Sequence, residues 1–217
     1  MDQDQEIKIM VADESHIGYV DTILDTIEKA AKVRGTGIAK RSPEYVKDKI
    51  REGKAIIALC GDDFAGFCYI ESWSNKQYAA NSGLIVPEKF RGHGLAKKIK
   101  KFSFELSRKK FPDAKLFGLT SGAAVMKINT ELGYVPVTFA DLTDDDAFWK
   151  GCEGCINFDV LKRTNRRYCI CTAMLYDPHL HEKDEHNAAS EAQEDDKGFM
   201  ASLVDLVRKR INTKKGK

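Results

Sequence analysis

The sequence lacks any run of eighteen apolar residues, which excludes a membrane-spanning helix. It lacks a charge excess of either sign, since 35 Lys and Arg face 33 Asp and Glu, so no global field favours nucleic acid. The chain begins with a polar, acidic stretch, Met1 to Gln5, instead of the basic and apolar start of a signal peptide. Without a secretion signal, the six cysteines predict a cytoplasmic protein with thiols or a metal site rather than disulfides.

One stretch organises the chain: an apolar strand ending at Val86, a turn with two glycines, and an amphipathic helix. Apolar residues recur there at helical spacing with lysines between them: Leu95, Ile99, Phe102 and Leu106. Gly92 and Gly94 lie where the backbone turns into the helix, so a ligand can approach the main chain closely. The free N–H groups and partial positive charge of a helix start suit an anion, above all a pyrophosphate.

The pattern around these glycines separates three kinds of phosphate loop. A dinucleotide fingerprint would need a third glycine where Lys97 stands, and the Gly-Lys-[Ser/Thr] of a Walker loop is absent. The run Lys89 to Gly94 resembles the acyl-CoA pyrophosphate loop of the GNAT N-acyltransferase superfamily, with Lys89 in place of the usual Gln or Arg. The run Asn129 to Tyr134 resembles the second motif of that superfamily, a helix ending at Leu-Gly-[Phe/Tyr]. The resemblance covers residues 7 to 177.

The order of predicted elements is strand, two helices, three antiparallel strands, helix, strand, helix and strand. It predicts an α+β fold with a central mixed, mostly antiparallel sheet flanked by helices, as in the GNAT fold. We predict an acyltransferase domain at 1–178, with a cysteine-rich insertion at 144–171 before the last strand. Seven acids then predict an acidic linker at 179–197, and apolar positions followed by basic residues predict an amphipathic helix at 198–217.

The resemblance implies acetyl-CoA, or another acyl-CoA, as cosubstrate and an amine as acceptor. On that resemblance Leu84, Ile85 and Val86 line the thioester and pantetheine. The main-chain N–H groups of the loop and first helical turn hold the pyrophosphate, from Arg91, Gly92, His93, Gly94, Leu95 and Ala96. The same strand would offer N–H groups to the negative charge that develops on the thioester oxygen.

Acid and base are weakly marked in this sequence. Glu71, at the end of the third predicted strand, lies where acceptor amines bind in the family and is a candidate base acting through water; an exposed strand-end carboxylate is the alternative. Asn129 stands where many GNAT enzymes carry a general-acid tyrosine. Because a thiol has a pKa of about 8.5, it can leave without full protonation, so the missing tyrosine weakens the mechanism only in part.

The acceptor side carries three cations between the first two helices: Arg34, Lys40 and Arg41. Arginine can bind a carboxylate bidentately, so these residues suit a carboxylate-bearing acceptor; a solvated loop is the alternative. The surrounding sequence is similar to stand-alone bacterial amino-acid N-acetyltransferases of the N-acetylglutamate synthase-like kind, which implies a small amino acid such as glutamate and a place in arginine biosynthesis. A protein or peptide N-acetyltransferase and a non-catalytic acyl-CoA-binding module remain alternatives, and a homodimer is left open.

Four cysteines have the spacing of a metal site: Cys152, Cys155, Cys169 and Cys171. Four thiolates can close a tetrahedral Zn²⁺ site. The predicted strand Tyr168 to Leu175 would project Cys169 and Cys171 to one face, opposite the Cys152–Cys155 turn. Such a site would be structural, ordering a polar segment with little core of its own. The alternatives are free thiols, or a cysteine cluster that contacts a partner.

Overall fold

The computed structural model describes residues 6–34 and 40–180, and in this part the chain folds around one seven-stranded sheet. The strands are β1 Ile7–Val11, β2 Ala55–Cys60, β3 Asp63–Trp73, β4 Tyr78–Ile85, β5 Lys115–Thr120, β6 Val135–Val137 and β7 Thr172–Tyr176. The helices are α1 Val20–Arg34, α2 Pro43–Arg51, α3 Leu95–Lys110, α4 Ala123–Glu131, α5 Asp146–Lys150 and α6 Phe158–Arg163. No described helix is long and apolar enough to cross a membrane.

The sheet order is β1-β2-β3-β4-β5-β7-β6, and every neighbouring pair is antiparallel except β4 with β5. The parallel pair is short, running from Tyr78 opposite Lys115 to Ala80 opposite Phe117. Beyond Ala80 the two strands part, while β4 stays paired with β3. The predicted mixed, mostly antiparallel sheet flanked by helices is therefore confirmed, and the parting leaves a gap in its middle.

A bulge in β4 lies beside this gap. Phe67 of β3 pairs with Ile85 while Tyr69, two residues later, pairs with Ser82, so β4 carries one extra residue. Gly83 supplies it, with a φ of 66° and the Tyr69 ring so near that an added Cβ would lie 2.4 Å from Cε1. Only glycine accommodates both the left-handed backbone and that contact.

Alternating residues of the sheet bury against different helices. Ile57, Phe67 and Tyr69 pack with the α1 and α2 side chains Ile23, Ile27, Val46 and Ile50. Ile56, Cys68 and Ile70 point the other way and pack with the predicted apolar face of α3. The period of two along β2 and β3 thus places helices on both faces of the sheet.

The segment before β7 has a core of its own, contrary to our expectation. Phe148 and Trp149 of α5 and Leu161 of α6 are buried with Phe117 of β5. The Asp145 side chain also accepts hydrogen bonds from the Ser74 N–H and hydroxyl, at 2.9 and 2.7 Å. Aromatic packing and this tether order the segment, and the reason for a metal clip disappears.

The last strand starts later than predicted. We placed it from Tyr168, but β7 begins at Thr172, which pairs with Thr120, the final residue of β5. Residues 168–171 are therefore not paired with β5, and the prediction that Cys169 and Cys171 project to one face of a strand is wrong. The predicted linker at 179–197, apart from its first two residues, and the predicted helix at 198–217 lie outside the described residues.

Candidate active site

A cavity of about 550 Å³ occupies the gap between β4 and β5. One wall is the unpaired edge of β4 from Asn81 to Ile85, and the facing wall is the end of β5 with Leu119 and Thr120. The volume falls in the range of small-molecule sites, about 300–1,000 Å³. The edge of β4 has no partner strand on this side in the described part of the chain, so its main-chain groups can bind a ligand.

The glycine loop leads from β4 into α3. Gly92 and Gly94 have φ values of 87° and 73°, and an added Cβ at either position would meet no atom within 4 Å. Gly94 is the N-cap of α3 and no side chain caps the helix, so the N–H groups of its first turn remain for a ligand. At both positions the backbone has a left-handed conformation that favours glycine, and the space beside it is open. A site that binds an anion through main-chain N–H groups requires both features.

The predicted cofactor-binding residues divide into three groups. Leu84 and Ile85 line the cavity, whereas the Val86 side chain is buried in the core. Arg91 holds the loop to the end of β4, since its Nε donates to the Val86 carbonyl oxygen at 2.9 Å. His93 is exposed in the loop, and Leu95 and Ala96 open α3 with Leu95 packed into the core.

Arg41 lies on the cavity wall, at the start of α2. Ser42 caps α2 by accepting from the Tyr45 N–H at 3.2 Å, with Pro43 in the first turn, so the helix begins directly after Arg41. The Arg41 Nε donates to the Tyr69 hydroxyl at 2.6 Å, and no described carboxylate forms an ion pair with the guanidinium. Lys40 also lines the cavity. Arg34 ends α1, and its side chain lies outside the described residues.

Glu71 reaches the same cavity from β3, opposite Ala80, where β4 leaves β5. The Tyr45 hydroxyl donates to one of its carboxylate oxygens, and Lys49 lies 3.2 Å from the other. Both oxygens therefore have protein partners. To accept a proton from an amine, Glu71 must release one partner or act through water, and its role as base stays a prediction.

Asn129 does not reach the cavity. It is 1% exposed, its Nδ2 donates to the Met174 sulfur at 3.6 Å, and its Oδ1 has no partner among the described residues. An added Cβ on Gly118 of β5 would lie 2.7 Å from that amide nitrogen. The side chain is thus packed beneath β5 and β7, a geometry that gives no support to the predicted catalytic role.

The four clustered cysteines line one side of the cavity. Burial, and then repulsion from neighbouring thiols, raises the pKa of Cys152 to about 11 and that of Cys171 to about 12. Among residues 6–34 and 40–180, no group of three or more potential ligands is arranged to hold a metal ion. The described geometry therefore does not support the predicted Zn²⁺ site.

Sequence reasoning missed Tyr45 and Lys150, which line this cavity, and Tyr69, whose hydroxyl accepts from Arg41. Arg41, Tyr45 and Lys49 follow one another at spacings of four around a Ser-Pro helix start, which was the available signal for a shared face. Tyr69 lies in an apolar strand and carried no signal of its own. Lys150, the last residue of α5, lines the cavity from the segment before β7.

Solved structures share this fold at low identity. N-acetylglutamate synthase from Neisseria gonorrhoeae, complexed with coenzyme A and N-acetyl-glutamate, aligns at 14% identity and a TM-score of 0.57, over 82% of this chain and 36% of its own. Rv2747 from Mycobacterium tuberculosis, in complex with CoA, aligns at 14% identity and a TM-score of 0.57, over 78% and 98%. An acetyltransferase of the GNAT family from Staphylococcus aureus aligns at 14% and 0.52, over 64% and 90%.

No family model and no curated protein matches the sequence. The chain has the fold of the GNAT acetyltransferases. It spans about a third of the length of the Neisseria gonorrhoeae enzyme.

The thiol cluster makes a chemical prediction. At pH 8 we expect Cys152 and Cys171 to react with iodoacetamide more than tenfold slower than a small free thiol, because the thiolate is the nucleophile and both pKa values are raised. Peptide mapping by mass spectrometry over a time course measures each rate. Metal analysis of the same preparation is the control, since coordinated thiolates also resist alkylation. If the two cysteines of metal-free protein reacted as fast as the free thiol, the raised pKa values of Cys152 and Cys171 would be contradicted.

Proposed function

We propose that this protein is an acyl-CoA-dependent N-acyltransferase that acts on a small amine carrying a carboxylate. One observation carries the proposal: β4, whose edge is free where it parts from β5, lines a cavity with Arg41 on its wall and leads into the glycine loop that opens α3. A phosphate-bearing, extended cosubstrate fits the loop and the free edge, and an anionic acceptor fits the wall at Arg41. The solved structures with bound CoA support the cosubstrate, and the acetyl group is the simplest acyl unit.

The reaction would join the two ends of the gap. The pyrophosphate binds the N–H groups that open α3, and the pantetheine amides bind the free edge of β4. Arg41 holds the acceptor carboxylate, which brings the amine to the thioester. The deprotonated amine attacks the carbonyl carbon and forms a C–N bond, while main-chain N–H groups near the Gly83 bulge stabilise the oxyanion. The C–S bond then breaks to release CoA thiolate, and the nitrogen loses a proton to water as the thiolate gains one.

The acceptor class follows from charge. Lys40, Arg41 and Lys150 line the cavity, and the only acid that lines it among the described residues is Glu71, which is already paired with Lys49. A free amino acid, with glutamate as the first candidate, matches such a wall better than the basic peptide of many protein acetyltransferases. The place in arginine biosynthesis rests on that candidate. Measuring the release of CoA thiol for a panel of amino acids and acyl-CoAs tests this acceptor class directly.

A binding module without turnover is the second candidate. It is favoured by the two occupied oxygens of Glu71 and by the burial of Asn129, which leave the site without an evident base or acid. Calorimetric binding of acyl-CoA with no thiol release against any amine of the panel would support it over the enzyme.

The loop assignment predicts a loss of CoA affinity. Replacing both Gly92 and Gly94 with valine should weaken CoA binding by at least about tenfold, because each side chain would fill the open cradle and each backbone would leave its left-handed conformation. Isothermal calorimetry measures the dissociation constant. Gly53→Val is the matched control: its φ is 60°, but it lies after α2, away from the loop. Equal CoA affinity in wild type and double variant would sink the assignment.

A further inference from the structure

The cavity wall holds a cation that the proposed reaction has not used. Lys150 ends α5, where Asp145 caps the helix start and buried Phe148 and Trp149 anchor it to the core. Lys150 is an exposed residue that borders the cavity, and it forms no ion pair with any described acid. A lysine held at a cavity by an anchored helix, without a protein counter-ion, is available to a ligand anion.

Lys150 and Arg41 belong to one binding space. Both line the same cavity, although one comes from the segment before β7 and the other from the start of α2. Cys152, two residues after Lys150, is close enough to Arg41 for the guanidinium to oppose the rise in the pKa of its thiol. The end of α5 and Arg41 therefore border one cavity, and a carboxylate bound by Arg41 lies within the space that Lys150 also borders.

The charges that line the cavity favour a ligand with more than one anionic group. Among the described residues, three cations line the cavity, Lys40, Arg41 and Lys150, against the single carboxylate of Glu71. Because Lys49 already pairs with Glu71 at 3.2 Å, that carboxylate does not offset the three. One acceptor carboxylate on Arg41 leaves a cationic wall that a second carboxylate would complement.

We propose that Lys150 is a specificity-determining residue that binds a second carboxylate. The acceptor and the acyl-CoA would then carry two carboxylates between them. This inference rests on the proposed function of the same site. The second carboxylate comes either from the side chain of a dicarboxylic amino acid or from the far end of a carboxyacyl group on CoA. The chemistry at Lys150 is the same in both cases, and the two sources are separated by choosing which reactant carries the charge.

Matched reactants separate the sources. Glutamate and glutamine are nearly isosteric acceptors, so with acetyl-CoA their ratio of kcat/KM isolates a side-chain carboxylate. Succinyl-CoA against butyryl-CoA, with a monocarboxylic acceptor, isolates a carboxylate on the acyl group. Lys150→Gln should lower one of these two ratios by roughly fivefold or more, and Lys150→Arg should retain it. Lys162→Gln is the control, because Lys162 is an exposed residue of α6 that is not among the residues lining the cavity.

A binding measurement keeps this inference distinct from the proposed function. Glutarate carries two carboxylates and butyrate one, and calorimetry with CoA present needs no turnover. If wild type shows no turnover at all, the enzyme proposal fails, while weaker glutarate binding to Lys150→Gln with unchanged butyrate binding still supports a second carboxylate site. Two results would overturn the second carboxylate site. One is a Lys150→Gln variant in which both kcat/KM ratios and glutarate binding are unchanged. The other is a wild-type protein that binds glutarate no better than butyrate.

Discussion

Arg41→Ala should raise the KM of the acceptor by roughly tenfold to hundredfold, because loss of a charge-assisted hydrogen bond costs about 1.5–3 kcal/mol. The KM of acyl-CoA should stay close to the wild-type value, since the loop that opens α3 is untouched. Steady-state release of CoA thiol, with each substrate varied in turn, measures both constants. The expected split distinguishes loss of an acceptor contact from a general loss of folding.

The size of this effect follows from how Arg41 is held. Its Nε donates to the Tyr69 hydroxyl at 2.6 Å, and its Nη1 donates to the Lys40 carbonyl oxygen at 3.1 Å. The guanidinium carbon lies 5.5 Å from the Tyr45 ring centroid and 5.9 Å from that of Tyr69. Rigid support on one side leaves the remaining donors preorganised for a carboxylate on the other, which reduces the entropy lost on binding.

Arg51→Ala provides a matched control on the same helix. Arg51 ends α2 at the surface, where it lies 3.4 Å from Asp48 and outside the cavity lining. Its removal should leave both Michaelis constants unchanged, because exposed ion pairs contribute little to stability. An Arg41→Ala enzyme with wild-type acceptor KM would remove Arg41 from the site and reopen the peptide-acceptor alternative.

The sequence predicted best those elements that are defined by neighbouring residues. The apolar spacing of α3, the glycines before it and the Ser-Pro start of α2 each depend on neighbouring residues, and these elements occur where expected. The order of strands followed from the same patterns, together with the resemblance to the GNAT superfamily. Prediction was weaker where an element is defined by a distant partner.

Three cases show why distance along the chain matters. The start of β7 at Thr172 is set by the end of β5 at Thr120, a constraint that no local pattern around Tyr168 contains. Arg41 meets Tyr69 across 28 residues, and Tyr45 meets Glu71 across 26. The aromatic core of the segment before β7 was missed because it depends on Phe117, in a strand well before it.

Lys100 provides the other large expected effect, on stability. This residue of α3 is 2% exposed, and no described acid forms an ion pair with it. Its ammonium lies 5.3 Å from the Tyr134 ring centroid, which offsets only part of the cost of burying a charge. Burial lowers the pKa of Lys100 from 10.5 to about 8.

The sign of the pH dependence follows from where protons are bound. Below pH 8 both folded and unfolded chains hold the proton, and the folded state bears the full cost of the buried charge. Between pH 8 and 10.5 the folded state releases it while the unfolded state keeps it. Because the unfolded state then binds more protons, the contribution of Lys100 to the free energy of unfolding rises with pH in this window, by about 3 kcal/mol in all.

Lys100→Met should therefore stabilise the protein at pH 7 by up to about 3 kcal/mol, since methionine keeps the apolar volume without the charge. The gain should shrink as pH rises from 8 toward 10.5, because wild-type Lys100 becomes neutral in the folded state. Urea unfolding of both proteins at pH 7 and pH 9.5 measures this difference, in which the exposed groups common to both cancel. Lys101→Met, at the exposed neighbouring position 3.8 Å from Glu105, should change stability by less than about 0.5 kcal/mol. A Lys100→Met protein that is less stable than wild type at pH 7 would show that the buried ammonium has stabilising partners in the folded chain. An equal gain at both pH values would show that burial does not lower the pKa of Lys100.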